Sequence, residues 1–274
     1  MPQPVSVVIP AYNEGARLGE SVATVLAYLA ESSPQSELIV VDDGSSDNTV
    51  ELARNAIRNS RVKAQVISLG ENRGKGCAVR TGLLAAKHNL ALFSDADLST
   101  PITELPKLIE PIEAGKVDVA FGSRALDRNL IGRHQPWGRE QGGRVMNMII
   151  RLATRLPYWD TQCGFKAFNM QFCRPLIAAA KIDRFGFDVE LLYLAKLAGL
   201  SLAEIPVRWD HADGSKLSVF RDTRRTLWEI AAIKKHQRQG DYRVALEATR
   251  ELSVENSPRR EPKAGSSSAA SAVN

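Results

Sequence analysis

Three short apolar runs, Val5-Ser6-Val7-Val8-Ile9, Leu38-Ile39-Val40-Val41 and Leu90-Ala91-Leu92-Phe93, constrain this chain more than any other feature in it. Near-continuous runs of this length describe strands buried on both faces, as in a parallel sheet, rather than strands with one wet face. Between the first two, residues 18–30 carry apolar side chains at helical spacing, and residues 49–57 do so after a Ser/Asp start signal. Strand alternating with helix requires right-handed crossovers and predicts an α/β fold with an open, mostly parallel twisted sheet flanked by helices. Ligands of such sheets bind beyond the carboxyl ends of the strands.

The loops at those ends carry the residues from which chemistry can be read. The third run continues through Ser94 into Asp95-Ala96-Asp97, two carboxylates placed where they could share one divalent cation. Hard cations such as Mg²⁺ take oxygen ligands and usually sit between one or two carboxylates and the phosphates of a substrate. An Asp-x-Asp pair is equally a solvated turn, so its neighbours matter. Pro10-Ala11-Tyr12-Asn13-Glu14 reads either as a plain helix-capping loop or as a base-binding wall, with Tyr12 as the face and Glu14 as a polar contact. Asp42-Asp43-Gly44-Ser45 reads either as a turn and cap or as carboxylates for a nucleotide's base and ribose hydroxyls, with Gly44 letting the backbone approach closely. Asn72-Arg73-Gly74-Lys75-Gly76 reads either as a glycine-containing helix start or as backbone closing over a nucleotide phosphate.

Four further segments stand out: Gly122-Ser123-Arg124, Asp160-Thr161-Gln162-Cys163-Gly164-Phe165-Lys166, Phe185-Gly186-Phe187-Asp188-Val189-Glu190-Leu191-Leu192-Tyr193 and Gly214-Ser215-Lys216-Leu217. Together with the loops above, and in this order, they resemble the inverting family 2 glycosyltransferases, whose nucleotide-sugar-binding fold is the A type. The likeness covers about the first four-fifths of the chain, too much for a chance motif. Its C-terminal half is most similar to the eukaryotic dolichyl-phosphate β-glucosyltransferases. The resemblance implies that Pro10, Ala11, Tyr12, Glu14 and Asp42 hold the nucleobase and ribose, with Gly74 and Lys75 nearby. It implies that Asp95 and Asp97 hold Mg²⁺ or Mn²⁺ on the sugar-nucleotide diphosphate. Arg124 is placed in the site for an acceptor phosphate with Lys216 close to it, and Asp188 and Glu190 line the sugar and acceptor side as further catalytic candidates. Two departures are visible: no N-terminal membrane anchor like that of the eukaryotic relatives, and His211-Ala212-Asp213 ahead of Gly214.

The implied reaction moves glucose from UDP-glucose to a polyprenyl phosphate of the dolichyl or undecaprenyl kind. A lipid phosphate, with a second pKa of about 6, arrives largely ionised and needs no strong base. A saccharide hydroxyl would instead need a carboxylate such as Asp188 or Glu190 as general base. GDP-mannose as donor and a hydroxyl as acceptor both stay open on the sequence. So does a binding protein without turnover, against which the intact Asp95 and Asp97 pair argues.

With 274 residues and 44% hydrophobic content, one sizeable domain is expected. Residues 1–210 read as the catalytic domain, 211–242 as an acceptor-side loop and amphipathic helix, and 243–274 as a helical stub and disordered tail. The net charge of +5 suits nucleotide sugars, lipid phosphates and acidic membrane surfaces, while no basic, aromatic-interleaved motif points to nucleic acid. Cys77, Cys163 and Cys173 form no CxxC pair, and no signal peptide precedes them, so buried thiols in a reducing cytoplasm are expected. No apolar run is long enough to cross a bilayer. Two basic amphipathic stretches, residues 144–156 and 221–238, are expected either to lie on the cytoplasmic face of a membrane or to cover the sheet.

Overall fold

The computed structural model describes residues 3–133, 137–210 and 219–255. The strands are β1 (Val5–Ala11), β2 (Glu37–Asp42), β3 (Lys63–Ser68), β4 (Leu90–Ser94), β5 (Val119–Ser123), β6 (Ile131–Arg133), β7 (Phe165–Asn169), β8 (Leu202–Pro206) and β9 (Trp209–Asp210). The helices are α1 (Leu18–Ser32), α2 (Thr49–Ile57), α3 (Lys75–Ala85), α4 (Leu105–Glu113), α5 (Trp137–Thr154), α6 (Met170–Ala179), α7 (Phe187–Ala198), α8 (Val219–Gln239) and α9 (Arg243–Glu255). The main sheet runs in the order β3-β2-β1-β4-β7-β5-β8, and β6 pairs with β9 beside it.

The three apolar runs are β1, β2 and β4, paired in parallel and buried on both faces as their composition demands. Alternation sends Val8, Ile39, Val41 and Phe93 into one core and Val7, Ile9, Leu38, Val40 and Leu92 into the other. The chain leaves β1 toward β2 and β3, then returns to place β4 on the opposite side of β1, which opens the ligand crevice at the carboxyl ends of β1 and β4.

One strand runs backwards. β7 is antiparallel to both β4 and β5, with Ser94 opposite Phe165. The start of β7 therefore lies at the same sheet edge as the ends of β4 and β5, and the segment 160–164 leading into it is delivered to the crevice.

Helices α5 and α8 pack on each other and send Met146, Ile150, Ile230 and Ile233 into the core. They also leave Met148, Leu152, Leu227 and Trp228 exposed, so each reaches the core on one side and presents apolar side chains outward. Among the described residues no helix is long and apolar enough to cross a membrane. The expected helical stub is α9, and it is integral to the fold: it packs on α6, and the buried Tyr242 just ahead of it reaches α7. Residues 256–274, expected as a disordered tail, lie outside the described residues. The three cysteines are free and buried.

Candidate active site

The loops after β1 and β2 form one laced unit. Asn13 has a positive φ of 53° and accepts the Ser46 N–H on Oδ1 at 2.9 Å, while its own N–H donates to Ser45 Oγ at 2.8 Å. The Glu14 N–H donates to Thr49 Oγ1 at 2.8 Å. Glu14 itself holds Arg17 in a two-bond fork, Nε to Oε2 at 2.5 Å and Nη2 to Oε1 at 3.0 Å. Pro10 and Ala11 are buried at the end of β1, and Tyr12 stands half-exposed beyond them, free to form a wall. The buried Asp42 accepts the Ser45 N–H at 3.1 Å and the Ser68 hydroxyl at 2.9 Å, which leaves carboxylate lone pairs for a ligand.

Asp43 does different work from its neighbour. Its carboxylate accepts the Arg73 N–H at 2.8 Å and the Gly74 N–H at 2.8 and 3.1 Å, clamping the 72–74 loop to the end of β2. Burial pushes its carboxyl up, and the two backbone bonds offset only part of that. Gly74, at φ 111°, has to be glycine: an added Cβ would lie 2.3 Å from the Asp183 carbonyl oxygen.

This clamp aims Lys75 into the crevice. Lys75 Nζ lies 2.6 Å from Asp95 Oδ1 as an ion pair, not an aligned hydrogen bond, and no aligned donor reaches that buried oxygen. Burial pulls the Lys75 ammonium down, but Asp95 and Asp188 outweigh it and hold the group charged. Asp95 is fixed by backbone register, its N–H donating to the Gly164 carbonyl at 3.0 Å, and the absent side chain of Gly164 leaves the space its carboxylate occupies. Asp97 accepts the Ser99 N–H at 3.0 Å on Oδ1. Among the described residues no group of three or more His, Cys, Asp or Glu converges as a metal cage. Two carboxylates with an unaligned buried oxygen could instead serve a hard cation that completes its shell with water and substrate phosphate.

Deeper in, Asp188 at the first turn of α7 pairs with Lys166 of β7 at 2.6 Å, and Lys166 Nζ also donates to the Cys163 carbonyl at 2.6 Å. Both side chains are buried; burial pushes the Asp188 carboxyl up, and Lys166 and Lys75 offset only part of this. Glu190 is placed differently from Asp188. It is fully buried and spends its carboxylate on the Lys181 N–H at 2.8 Å, the Ile182 N–H at 2.9 Å and the Tyr242 hydroxyl at 2.6 Å. Two residues along a helix turns about 200°, so Glu190 lies on the opposite side of α7 from Asp188, and its three hydrogen bonds give it a structural role.

On the far side Arg124, just past β5, forks onto Asp160 through Nε at 2.6 Å and Nη2 at 2.7 Å, and stacks 5.6 Å above Trp209. Burial would lower the guanidinium's affinity for its proton, but Asp160 more than reverses this. Burial likewise raises the Asp160 carboxyl, and Arg124 outweighs it and holds it below the usual carboxylate range. Asp160 is in turn positioned by Glu204 of β8, which accepts its N–H at 2.7 Å together with the Ser123 hydroxyl at 2.7 Å. Lys216 lies outside the described residues. Asp160, Gly164, Lys166 and Glu204 were given no role of their own from sequence, and Asp43, read there with Asp42 as one of the carboxylates for a base or ribose, binds the 72–74 backbone instead. Lys166 carried a visible signal, a lysine inside an otherwise apolar strand, which demands a buried partner.

The crevice thus brings together an exposed tyrosine, a carboxylate pair with a lysine in contact, and an arginine in the field of Asp95. Residues 6–176 match the family described as Glycosyl transferase family 2. The chain belongs to that family. This family 2 glycosyltransferase is similar to dolichyl-phosphate beta-glucosyltransferases: 38% identical to that of Drosophila melanogaster over 79% of the chain and 70% of the relative. The human enzyme of the same name is 32% identical over 90% of the chain and 79% of the relative. Among solved structures, glucosyl-3-phosphoglycerate synthase from Mycobacterium tuberculosis, in complex with Mn²⁺ and UDP-glucose, matches at TM-score 0.62 and 20% identity. That match covers 84% of this chain and 79% of that one. The shared fold is the A-type glycosyltransferase fold expected from the sequence.

Proposed function

We propose that this glycosyltransferase moves glucose from UDP-glucose to the phosphate of a polyprenyl phosphate, with inversion, at the cytoplasmic face of a membrane. The observation that carries the acceptor class is the occupancy of the two candidate bases. Glu190 is consumed by three structural donors and Asp188 is ion-paired to Lys166, so the crevice suits a nucleophile that arrives already ionised. Arg124 supplies the matching cation, since two of its five N–H groups hold Asp160 and others are left for a phosphate.

In this reading Tyr12, Glu14 and Asp42 hold the base and ribose, as the names of the relatives and the laced β1 and β2 loops both favour. Asp95 and Asp97 would hold Mg²⁺ or Mn²⁺, which offsets the charge developing on the departing diphosphate. The chain's own part is then positional. Lys75 and the 72–74 backbone orient the donor, Arg124 orients the acceptor oxygen, and holding the two together supplies most of the rate. Membrane attachment is supported by the outward apolar residues of α5 and α8, with Trp159 capped by the Arg151 guanidinium at 3.8 Å from its ring centre.

The test is transfer of labelled glucose from UDP-glucose to a short polyprenyl phosphate in detergent, with GDP-mannose run in parallel, with Mg²⁺ or EDTA, and with Asp97→Ala. Lipid-linked glucose lost in EDTA and in the variant is the expected result. Product from GDP-mannose alone would change the donor, and no lipid product from either would refute the acceptor class.

A further inference from the structure

We propose that Lys75 is a built-in counter-cation for the Asp95 and Asp97 pair, one that must leave before a divalent cation enters, so that cation and nucleotide diphosphate bind as a coupled pair. This rests on the donor-site reading above and deepens it. Lys75 Nζ is 2.6 Å from Asp95 Oδ1, a buried oxygen with no aligned hydrogen-bond donor. The contact is a charge pairing that other oxygens can replace. Asp97 and Asp188 also attract the ammonium, so Lys75 sits among three carboxylates. Asp188 has Lys166 as its own partner, and although Arg17 and Arg124 lie in the field of Asp95, Lys75 is the cation in contact with its carboxylate.

A divalent cation arriving alone meets a pair whose charge is already offset, and it repels the ammonium it must displace. A cation arriving with a diphosphate gives the displaced ammonium new oxygens to bind. Each ligand then raises the affinity for the other, and by the same factor. Gly74 and the Asp43 clamp fix the base of the lysine, so what moves is its side chain.

The test is Mn²⁺ binding to the full chain, read from the loss of the free-ion electron paramagnetic resonance signal, with and without UDP. Wild type should bind Mn²⁺ weakly alone and about tenfold or more tightly with UDP, and Mn²⁺ should strengthen UDP binding equally. Lys75→Met and Lys75→Gln should each bind bare Mn²⁺ about tenfold more tightly than wild type, and lose most of the gain from UDP. Lys75→Arg keeps the charge and should keep the binding of bare Mn²⁺ as weak as in wild type. Unchanged bare-ion affinity in a Lys75→Met or Lys75→Gln variant that melts as wild type overturns the proposal. So does a wild type whose Mn²⁺ affinity ignores UDP. No sugar or acceptor enters these titrations, so failure of glucose transfer to a polyprenyl phosphate would show separately.

Discussion

Replacing Gly164 with alanine adds one methyl group, and the structure sets what that methyl must do. Its carbon would lie 2.0 Å from Asp95 Oδ2 and 2.2 Å from Asp95 Cγ, where ordinary contact begins at 3.4 Å. The carboxylate must therefore retreat by about 1.4 Å (3.4 minus 2.0), since Gly164 and Asp95 are tied by a backbone hydrogen bond of 3.0 Å. Misplacing a reacting or metal-holding group by about 1 Å costs on the order of a hundredfold in rate, or about 2.7 kcal/mol in the barrier. Overpacking adds about 1–3 kcal/mol of destabilisation, a fall in Tm of about 2–4 °C for each kcal/mol in a chain of this size. The assay is kcat/KM for glucose transfer beside thermal melting of the same preparation. Gly164→Ala with transfer within about threefold of wild type would refute the claim that this glycine exists to seat Asp95.

Three other outcomes are expected. Lys166→Met strips the partner from the buried Asp188 and should cost about 3–5 kcal/mol in urea unfolding; a loss under about 1 kcal/mol would mean that the pair is not what holds α7 to β7. Glu190→Gln should lower stability yet leave the acceptor KM and the pH–rate profile as in wild type, because its carboxylate binds Lys181, Ile182 and Tyr242; a vanished acidic limb in that profile would restore it as a base. Asp160, whose folded carboxyl is held low, contributes stability that is complete above its unfolded value of about 3.9 and is lost as pH falls through the folded value. The stability gap between wild type and Asp160→Asn should thus be level from pH 7 to about 5 and close below about 4, and a gap that widens in acid would reverse the sign of the argument.

Much of the donor half was legible because parallel strands announce themselves. The predicted helix over 49–57 is α2 residue for residue, and the run ending in Asp95 stops where β4 stops. The rest was hidden by distance. β7 reads as a motif rather than a strand because Lys166 interrupts it, and the counter-charge that makes it tolerable is Asp188, twenty-two residues later. Asp42 and Asp43 look alike in sequence, yet one accepts from Ser45 and Ser68 and the other clamps backbone N–H groups of the 72–74 loop. Asp188 and Glu190 were paired by motif and are separated by helical rotation. Glu204 gave no signal, since its role exists only where β5, β8 and the 159–160 backbone meet.

The reversed strand has a consequence for how this enzyme can change. A single short segment, 160–164, supplies the counter-ion of Arg124 at one end and the floor beneath Asp95 at the other. Loops elsewhere on the edge can lengthen and alter one substrate at a time, whereas one residue gained or lost here shifts both subsites together. New acceptor preference must then come from grafts outside this segment. In a library of circular permutants, chain openings between 160 and 164 should be the ones missing from the active clones.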